Sequence, residues 1–320
     1  MINLFHLSSK DLMEMQIVDW SYTDILEPVS YNNFINWIDE GFHGPLKYLS
    51  DDRKLKRENL KNVYPGAESA IVFLFSYMDA KKKLNDLNLP QKVASYTMGF
   101  KGEDYHSWIG QRLTLIGDQL QSKDQSLEYK ISLDVHPVLE RDLAYRSGLG
   151  WFGKNSMLIN REFGSYTLIG SLIINKKLAL SSYKLDTDHC GSCTRCIEAC
   201  PTNAIDGELR SVNSSLCIST FTIETFKDEI PPHGYPTSSK EVFGCDICQE
   251  VCPWNSKPLN NSLLGESNGL IEFFNRDLLL ILKDIENMSN KEFKVFFKNT
   301  SFERGGKRGL LKNLRHYLNR

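Results

Sequence analysis

Four cysteines and a proline, Cys190-x2-Cys193-x2-Cys196-x3-Cys200-Pro201, carry the spacing of an iron–sulfur binding run. Three closely spaced thiolates wrap one [4Fe–4S] cube in a tight loop. The proline then turns the chain, so that the fourth thiolate points to a second cube. A shorter run, Cys245-x2-Cys248-x3-Cys252-Pro253, repeats the end of that pattern. Crossing over by the same logic assigns Cys190, Cys193, Cys196 and Cys252 to one cube, and Cys200, Cys245 and Cys248 to the other. Cys217 is then the one thiolate left, and it completes the second set. All 8 cysteines of the chain fall between positions 190 and 252, too tightly grouped for scattered core residues. Two zinc sites are the alternative, because paired C-x2-C is also zinc spacing. The threefold C-x2-C-x2-C followed by x3-C-P favours iron–sulfur. Such clusters move electrons one at a time but do not say to what.

Two further stretches invite a chemical reading. Gly148-Leu-Gly150-Trp-Phe-Gly153 matches G-x-G-x-x-G, but a dinucleotide site needs a strand before it and a helix after it. Here the motif follows a helical pattern, and Trp151 and Phe152 would crowd a pyrophosphate. Glu162 is too near to be the ribose-binding acid, which belongs about 20 residues on. A nucleotide site is rejected. Asp134, before His136-Pro137, reads on the residues alone as a turn-forming aspartate.

The elements that must position these groups fall into three parts. In residues 1–184 helical and strand patterns alternate. Strands are expected at Ala70–Tyr77, Leu127–Val135, Met157–Asn160 and Tyr166–Asn175. Tyr105–Ser122 carries Trp108, Ile109, Leu113, Ile116 and Leu120 at helical spacing, and Val138–Ser147 reads as a helix stopped by Gly148. This is an α/β layer domain whose sheet order the sequence leaves open. Residues 185–258 hold every cysteine and many turn residues, as in a small domain held by metal. Residues 259–320 are helical in pattern.

With 320 residues, 41% hydrophobic and 24% charged, the composition is that of a soluble globular protein. Net charge is −2, but the last thirty residues carry an excess of +7. Along Lys307–Arg320, Leu310, Leu311, Leu314, Tyr317 and Leu318 share one helical face, leaving basic residues to point outward at RNA phosphates. A solvated helix face is the plainer alternative. The N-terminal MINLFHLSSKDLMEM lacks the basic and apolar regions of a signal peptide, and apolar runs are too short to span a bilayer. A cytoplasmic monomer without membrane contact is expected.

From about Tyr48 to Leu314 the chain resembles the epoxyqueuosine reductases. The residues that carry the likeness are TMGFKGEDYHSWI, Asp134-x-x-Pro137, Glu140-Arg141, Gly148–Asn155, GSYTLIGSLI (Gly164–Ile173) and the cysteine pattern. The resemblance implies an α/β cobalamin-binding domain, a ferredoxin-like domain with two [4Fe–4S] clusters, and a short helical, HEAT-like C-terminal region. It implies reduction of epoxyqueuosine to queuosine at the wobble position of tRNA, gripped at the anticodon stem-loop. Electrons would come from an unidentified low-potential donor. It makes Asp134 the proton donor, with partial burial raising its pKa. It places Arg57, Tyr96, Thr97, Asp134, Leu158, Ile169 and Asp246 against the corrinoid. His136 stands where the family more often has a small residue and is expected to line the site. Lys154 and Asn155 are expected to fix the glycine-rich turn. The alternatives are a corrinoid reductase of a small epoxide or organohalide, and a ferredoxin-like electron carrier.

Overall fold

The computed structural model describes residues 9–89, 92–178, 185–225, 231, 235, 241–261 and 268–318. Residues 1–8, the end of the first part at 179–184, and Arg320 lie outside them. Four strands form the main sheet: β1 (Ile17–Thr23), β2 (Ser69–Ser76), β3 (Tyr129–Ser132) and β4 (Thr167–Ile174). Their order is β1-β2-β4-β3, and every neighbouring pair is antiparallel. β2 is an unbroken apolar run, SAIVFLFS, because it lies in the middle with both faces covered.

Alternation along β2 and β4 sends residues to two cores. Ile71, Phe73, Phe75, Leu172 and Ile174 pack under the Tyr105–Lys123 helix, against its Trp108, Ile109, Leu113, Ile116 and Leu120. Ala70, Val72, Leu74 and Ile173 pack on the other face against Val138, Leu143 and Ala144, the last two from the Glu140–Arg146 helix. This is the expected α/β layering. β3 is shorter than its pattern, because the chain leaves it before Asp134. Leu133 O accepts the His136 N–H at 2.8 Å, and Leu133 N–H donates to His136 Nδ1 at 3.1 Å, closing a turn around Asp134. His136 therefore serves its own turn.

The third core crosses all three parts of the sequence. Leu84, Val93 and Met98 meet Ile218, Phe221 and Phe243, and both groups meet Phe274, Phe297, Phe302 and Leu314. Lys92–Val93 pairs in parallel with Glu241–Phe243 inside it. The C-terminal helices are Gly269–Phe274, Leu278–Asn287, Asn290–Phe296 and Phe302–Leu318. Asn268, Asp277 and Ser289 cap the first three through side-chain oxygens.

In the last helix Leu310, Leu314 and Tyr317 are buried, as their spacing predicts. Its basic residues do not all face outward. Lys312 is buried, its Nζ donating to Phe221 O at 2.5 Å and to Thr225 O, and lying 3.9 Å from the Phe221 ring centre. Lys307 Nζ donates to Glu286 O and Met288 O, satisfying carbonyls at the end of a neighbouring helix. Part of the +7 excess is thus used inside the fold. Lys291, Lys294, Lys298 and Arg308 are exposed.

Candidate active site

Cys190, Cys193, Cys196 and Cys252 line one cavity of about 60 Å³, joined by Lys154, Ile159, His189 and Trp254. Cys217 has Cys200 close enough for its charge to raise the Cys217 pKa, and Cys248 feels both. Cys245 has Cys248 and Cys217 beside it. Cys190, Cys193, Cys196 and Cys252 therefore surround one cavity, and Cys200, Cys217, Cys245 and Cys248 lie within electrostatic reach of one another. Burial is the main cause that pushes Cys217, Cys245 and Cys248 up, and neighbouring thiolates push in the same direction. Thiols so placed ionise only beside a strong cationic centre, which is what a thiolate-ligated iron cluster provides. The donor sets fit two cubes.

The glycine-rich segment holds these loops. Lys154 Nζ donates to Gly191 O at 2.7 Å and to Cys193 O at 3.1 Å, and Asn155 Nδ2 to Cys248 O at 3.4 Å. Trp151 packs edge-on against Trp254 and His189, at 4.8 and 4.7 Å between ring centres. Trp151–Phe152 pairs with Leu158–Ile159 as a hairpin, so the motif enters a strand instead of opening a helix. Gly150 is needed because a Cβ there would lie 2.2 Å from Ile159 O, with φ at +152°. Backbone approach, not phosphate, explains this glycine.

Asp134 is the centre of a separate constellation on the other side of the sheet's end. Tyr105 O–H donates to Asp134 Oδ2, and His106 Nε2 lies 2.7 Å from Asp134 Oδ1. His106 Nδ1 lies 2.7 Å from Asp104 Oδ1, and that same oxygen caps the Tyr105–Lys123 helix by accepting the His106 N–H. Burial pushes the His106 pKa down, but the two carboxylates outweigh it and carry the imidazole up to about 9. The Asp134 side chain retains 42% of its exposure, although protein crowds its carboxylate on the remaining sides. Desolvation is the largest single influence and raises its pKa; the close contact and charge of His106, with the Tyr105 hydrogen bond and the Arg304 charge, outweigh it. The net direction is downward. The expectation of a raised Asp134 pKa is corrected, and the cause is the charged histidine beside it.

Around this centre lie groups from distant segments. Arg304, from the last helix, pairs with Glu224 at 2.7 Å, and its charge also lowers the Asp134 pKa. Tyr48 feels Glu224, Arg304 and Asp134 together. Tyr96 packs edge-on against Tyr105 at 5.6 Å. Desolvation pushes the Glu140 carboxyl well up, and the nearby Asp134 charge adds to the shift.

The residues expected at the corrinoid are placed as follows. Arg57 is buried with its Nη1 lacking a partner, and Glu140 Oε1 is likewise unpaired. The two are near enough for the Arg57 charge to lower the Glu140 pKa. Leu158 and Ile169 belong to one apolar cluster on the second sheet face. Thr97 is fully buried, its hydroxyl donating to Ala94 O at 2.7 Å. Asp246 is buried and accepts the Ser95 N–H at 2.9 Å and the Ser95 hydroxyl, with Lys81 Nζ at 3.9 Å. It ties the second cysteine loop to the Tyr96–Thr97 turn, its acceptors already engaged. The buried, unpartnered Arg57 Nη1 and Glu140 Oε1 are groups that a ligand edged with amides, such as cobalamin, would satisfy.

The sequence reading assigned no role to Asp104, His106, Tyr48, Glu224 or Arg304. Asp-x-His at a helix start was a usable signal for the first two, since an N-cap carboxylate reaches two residues forward. Nothing local marked the others.

An α/β layer domain joined to two converging four-thiol sets defines an iron–sulfur redox protein with a cofactor cleft. Residues 189–255 match the family described as 4Fe-4S double cluster binding domain. Residues 57–135 match the family described as Epoxyqueuosine reductase QueG, DUF1730. The epoxyqueuosine reductase of Leadbetterella byssophila is 35% identical over 87% of this chain and 86% of its own. That of Streptococcus thermophilus shares the fold, at 24% identity and a TM-score of 0.76 over 97% of this chain and 80% of its own. An epoxyqueuosine reductase solved with a tRNA-Tyr epoxyqueuosine-modified stem loop superposes with a TM-score of 0.73 at 25% identity, over 97% of this chain and 79% of its own. The chain belongs to the epoxyqueuosine reductase family. Among the described residues no helix is long and apolar enough to cross a membrane.

Proposed function

We propose that this protein reduces epoxyqueuosine to queuosine in tRNA, using cobalamin and two [4Fe–4S] clusters. The observation that carries this is the cavity lined by Cys190, Cys193, Cys196 and Cys252, present together with the Asp134 constellation and the unpartnered Arg57 and Glu140 side chains in a chain of this family. The ligands are Cys190, Cys193, Cys196 and Cys252 for one cube, and Cys200, Cys217, Cys245 and Cys248 for the other. Arg57, Tyr96, Thr97, Leu158 and Ile169 hold the corrinoid, with Asp246 bracing the Tyr96–Thr97 turn.

Conversion of an epoxide to an alkene takes two electrons and two protons and releases water. Cobalamin, when bound, supplies a strongly reducing cobalt centre, and the hard redox chemistry is the cofactor's. The chain's own contribution is acid catalysis and positioning. Asp134 delivers a proton to the opening epoxide oxygen. Tyr105 and His106 fix its carboxyl group. Tyr48, Glu224 and Arg304 lie within electrostatic reach of one another and of Asp134 and offer polar groups to a modified base there.

The tRNA partner is supported by the related structure solved with a stem loop. Exposed Lys291, Lys294 and Lys298 offer phosphate contacts, so affinity falls as salt rises. A low-potential donor reduces the clusters, and the protein works as a monomer in the cytoplasm.

The test is anaerobic reconstitution with iron, sulfide and cobalamin, followed by assay on epoxyqueuosine-containing tRNA. Turnover by the wild-type protein is expected. Asp134→Asn keeps both cofactors, seen spectroscopically, and loses turnover. Full activity in that variant removes Asp134 from the mechanism.

A further inference from the structure

We propose that Asp104, His106 and Asp134 form a proton relay, in which His106 stores the proton that Asp134 passes to the substrate. The inference rests on the proposed reduction and adds a residue that acts through Asp134.

An acid that donates a proton must hold one. Asp134 has its pKa lowered, so at neutral pH its carboxyl is ionised. Tyr105 donates a hydroxyl to Asp134 Oδ2 but is far too weak an acid to give up its proton. The neighbouring cationic acid is therefore His106, whose Nε2 lies in ion-pair contact 2.7 Å from Asp134 Oδ1 and needs a small ring rotation to align its N–H for transfer. Asp104 stands 2.7 Å from the opposite ring nitrogen and favours the imidazolium. The order Asp104–His106–Asp134 places the stored proton between a fixed anion and the group that uses it.

The groups facing His106 agree with this. Asp104 comes from the helix cap and Asp134 from the turn after β3. Tyr105 stacks on the imidazole at 4.0 Å and donates to the other Asp134 oxygen. Glu140, with its pKa raised, adds little negative charge, and Arg304 acts on Asp134 from the far side.

The step balances as follows. His106 Nε2–H passes its proton to Asp134 Oδ1. The Asp134 O–H passes a proton to the epoxide oxygen as the carbon–oxygen bond breaks, with electrons delivered by the reduced cofactors of the proposed reaction. A second passage, after solvent reprotonates His106, supplies the proton with which the hydroxyl leaves as water. Asp104 and His106 both keep about a quarter of their side-chain exposure, which gives water that access.

The experiment uses two variants of the full chain. Asp104→Asn keeps the helix cap, because asparagine caps as well as aspartate, but removes the charge. His106→Gln removes the stored proton. With oxidised clusters, NMR of 13C-labelled histidine should show one imidazole titrating near about 9, absent in His106→Gln. Asp104→Asn should lower that value by about one pH unit or more. In single-turnover assays, His106→Gln should cut the rate at pH 8 by about 10²-fold without weakening tRNA binding. Wild-type turnover should fall as pH rises through the imidazole pKa, because the stored proton is then lost. In Asp104→Asn that alkaline limb should move down with the NMR value.

An imidazole titrating near its ordinary value, or an alkaline limb that stays put while the imidazole shifts, overturns the relay. If the wild-type protein leaves epoxyqueuosine untouched, the functional reading fails. The NMR titration still decides whether His106 stores a proton.

Discussion

Replacing Cys217 tests the division of thiolates where the sequence offers least help, because it lies in no short motif. It sits between the two cysteine runs in sequence and lies within electrostatic reach of Cys200, Cys245 and Cys248. Cys193, in contrast, lines the other cavity. If each cube takes four thiolates, the fully loaded chain holds about eight iron atoms. Cys217→Ala should then lose the second cube, leaving about four iron atoms and roughly half the absorbance near 400 nm. Where the cube survives on three thiolates, its EPR signal should change while that of the first cube does not. Cys193→Ala should give the complementary result. Both variants should be reconstituted anaerobically and compared by iron analysis and EPR of the reduced state. Two unaltered cluster signals in Cys217→Ala would refute the assignment. Bound zinc with no visible absorbance in the wild-type protein would refute the clusters themselves.

Two further outcomes test the scaffold. Asp142 and Arg146 are each 1% exposed and paired at 2.8 Å, and Asp142 also accepts the Ser30 N–H and hydroxyl at 2.7 and 2.6 Å. Asp142→Ala should cost about 3–5 kcal/mol by leaving Arg146 charged and buried, read by urea denaturation; a loss under about 1 kcal/mol would contradict this. Gly150→Ala meets Ile159 O at 2.2 Å and should cost about 3 kcal/mol, whereas a Cβ at Gly269 meets nothing within 4 Å. Gly269→Ala should therefore be neutral or slightly stabilising by the same measurement, and equal effects at both positions would count against the close-approach explanation.

What could be read from the sequence was whatever depends on neighbours along the chain. The AIVFLFSY run is buried in β2. The helical spacing of Trp108 to Leu120 matches a buried helix face. The cysteine spacing marked four thiolates that now line one cavity. What depends on distant charges was not legible. Asp134 follows an apolar strand pattern, which suggests a raised pKa, yet His106 from another element reverses the sign. Lys312 looks like a basic surface residue by its type, but its ammonium group finishes the carbonyls of Phe221 and Thr225 inside a core. Sheet order was also out of reach, since β4 enters between β2 and β3 only after three α-helices, β3 itself and a hairpin have been laid down.

Glu224 follows Cys217 by seven residues, across the Thr220–Glu224 turn of helix, and ends beside Arg304. Arg304 belongs to the helix whose Leu310 and Leu314 share a core with Phe221 and Phe243. Lys312, between Leu310 and Leu314, binds the carbonyls at both ends of the Phe221–Thr225 segment. Thus the Phe221–Thr225 segment that follows Cys217 is clamped by Lys312 of the C-terminal helix, while Arg304, on the other side of the kink at Gly306, pairs with Glu224 and brings its charge to Asp134. Packing of this kind moves as a unit, because a buried core admits few intermediate arrangements. Displacement of the C-terminal helix would act on the Asp134 surroundings and on the segment after Cys217 together. The helical region is therefore part of the active site's frame, and its basic residues serve the fold as well as the surface.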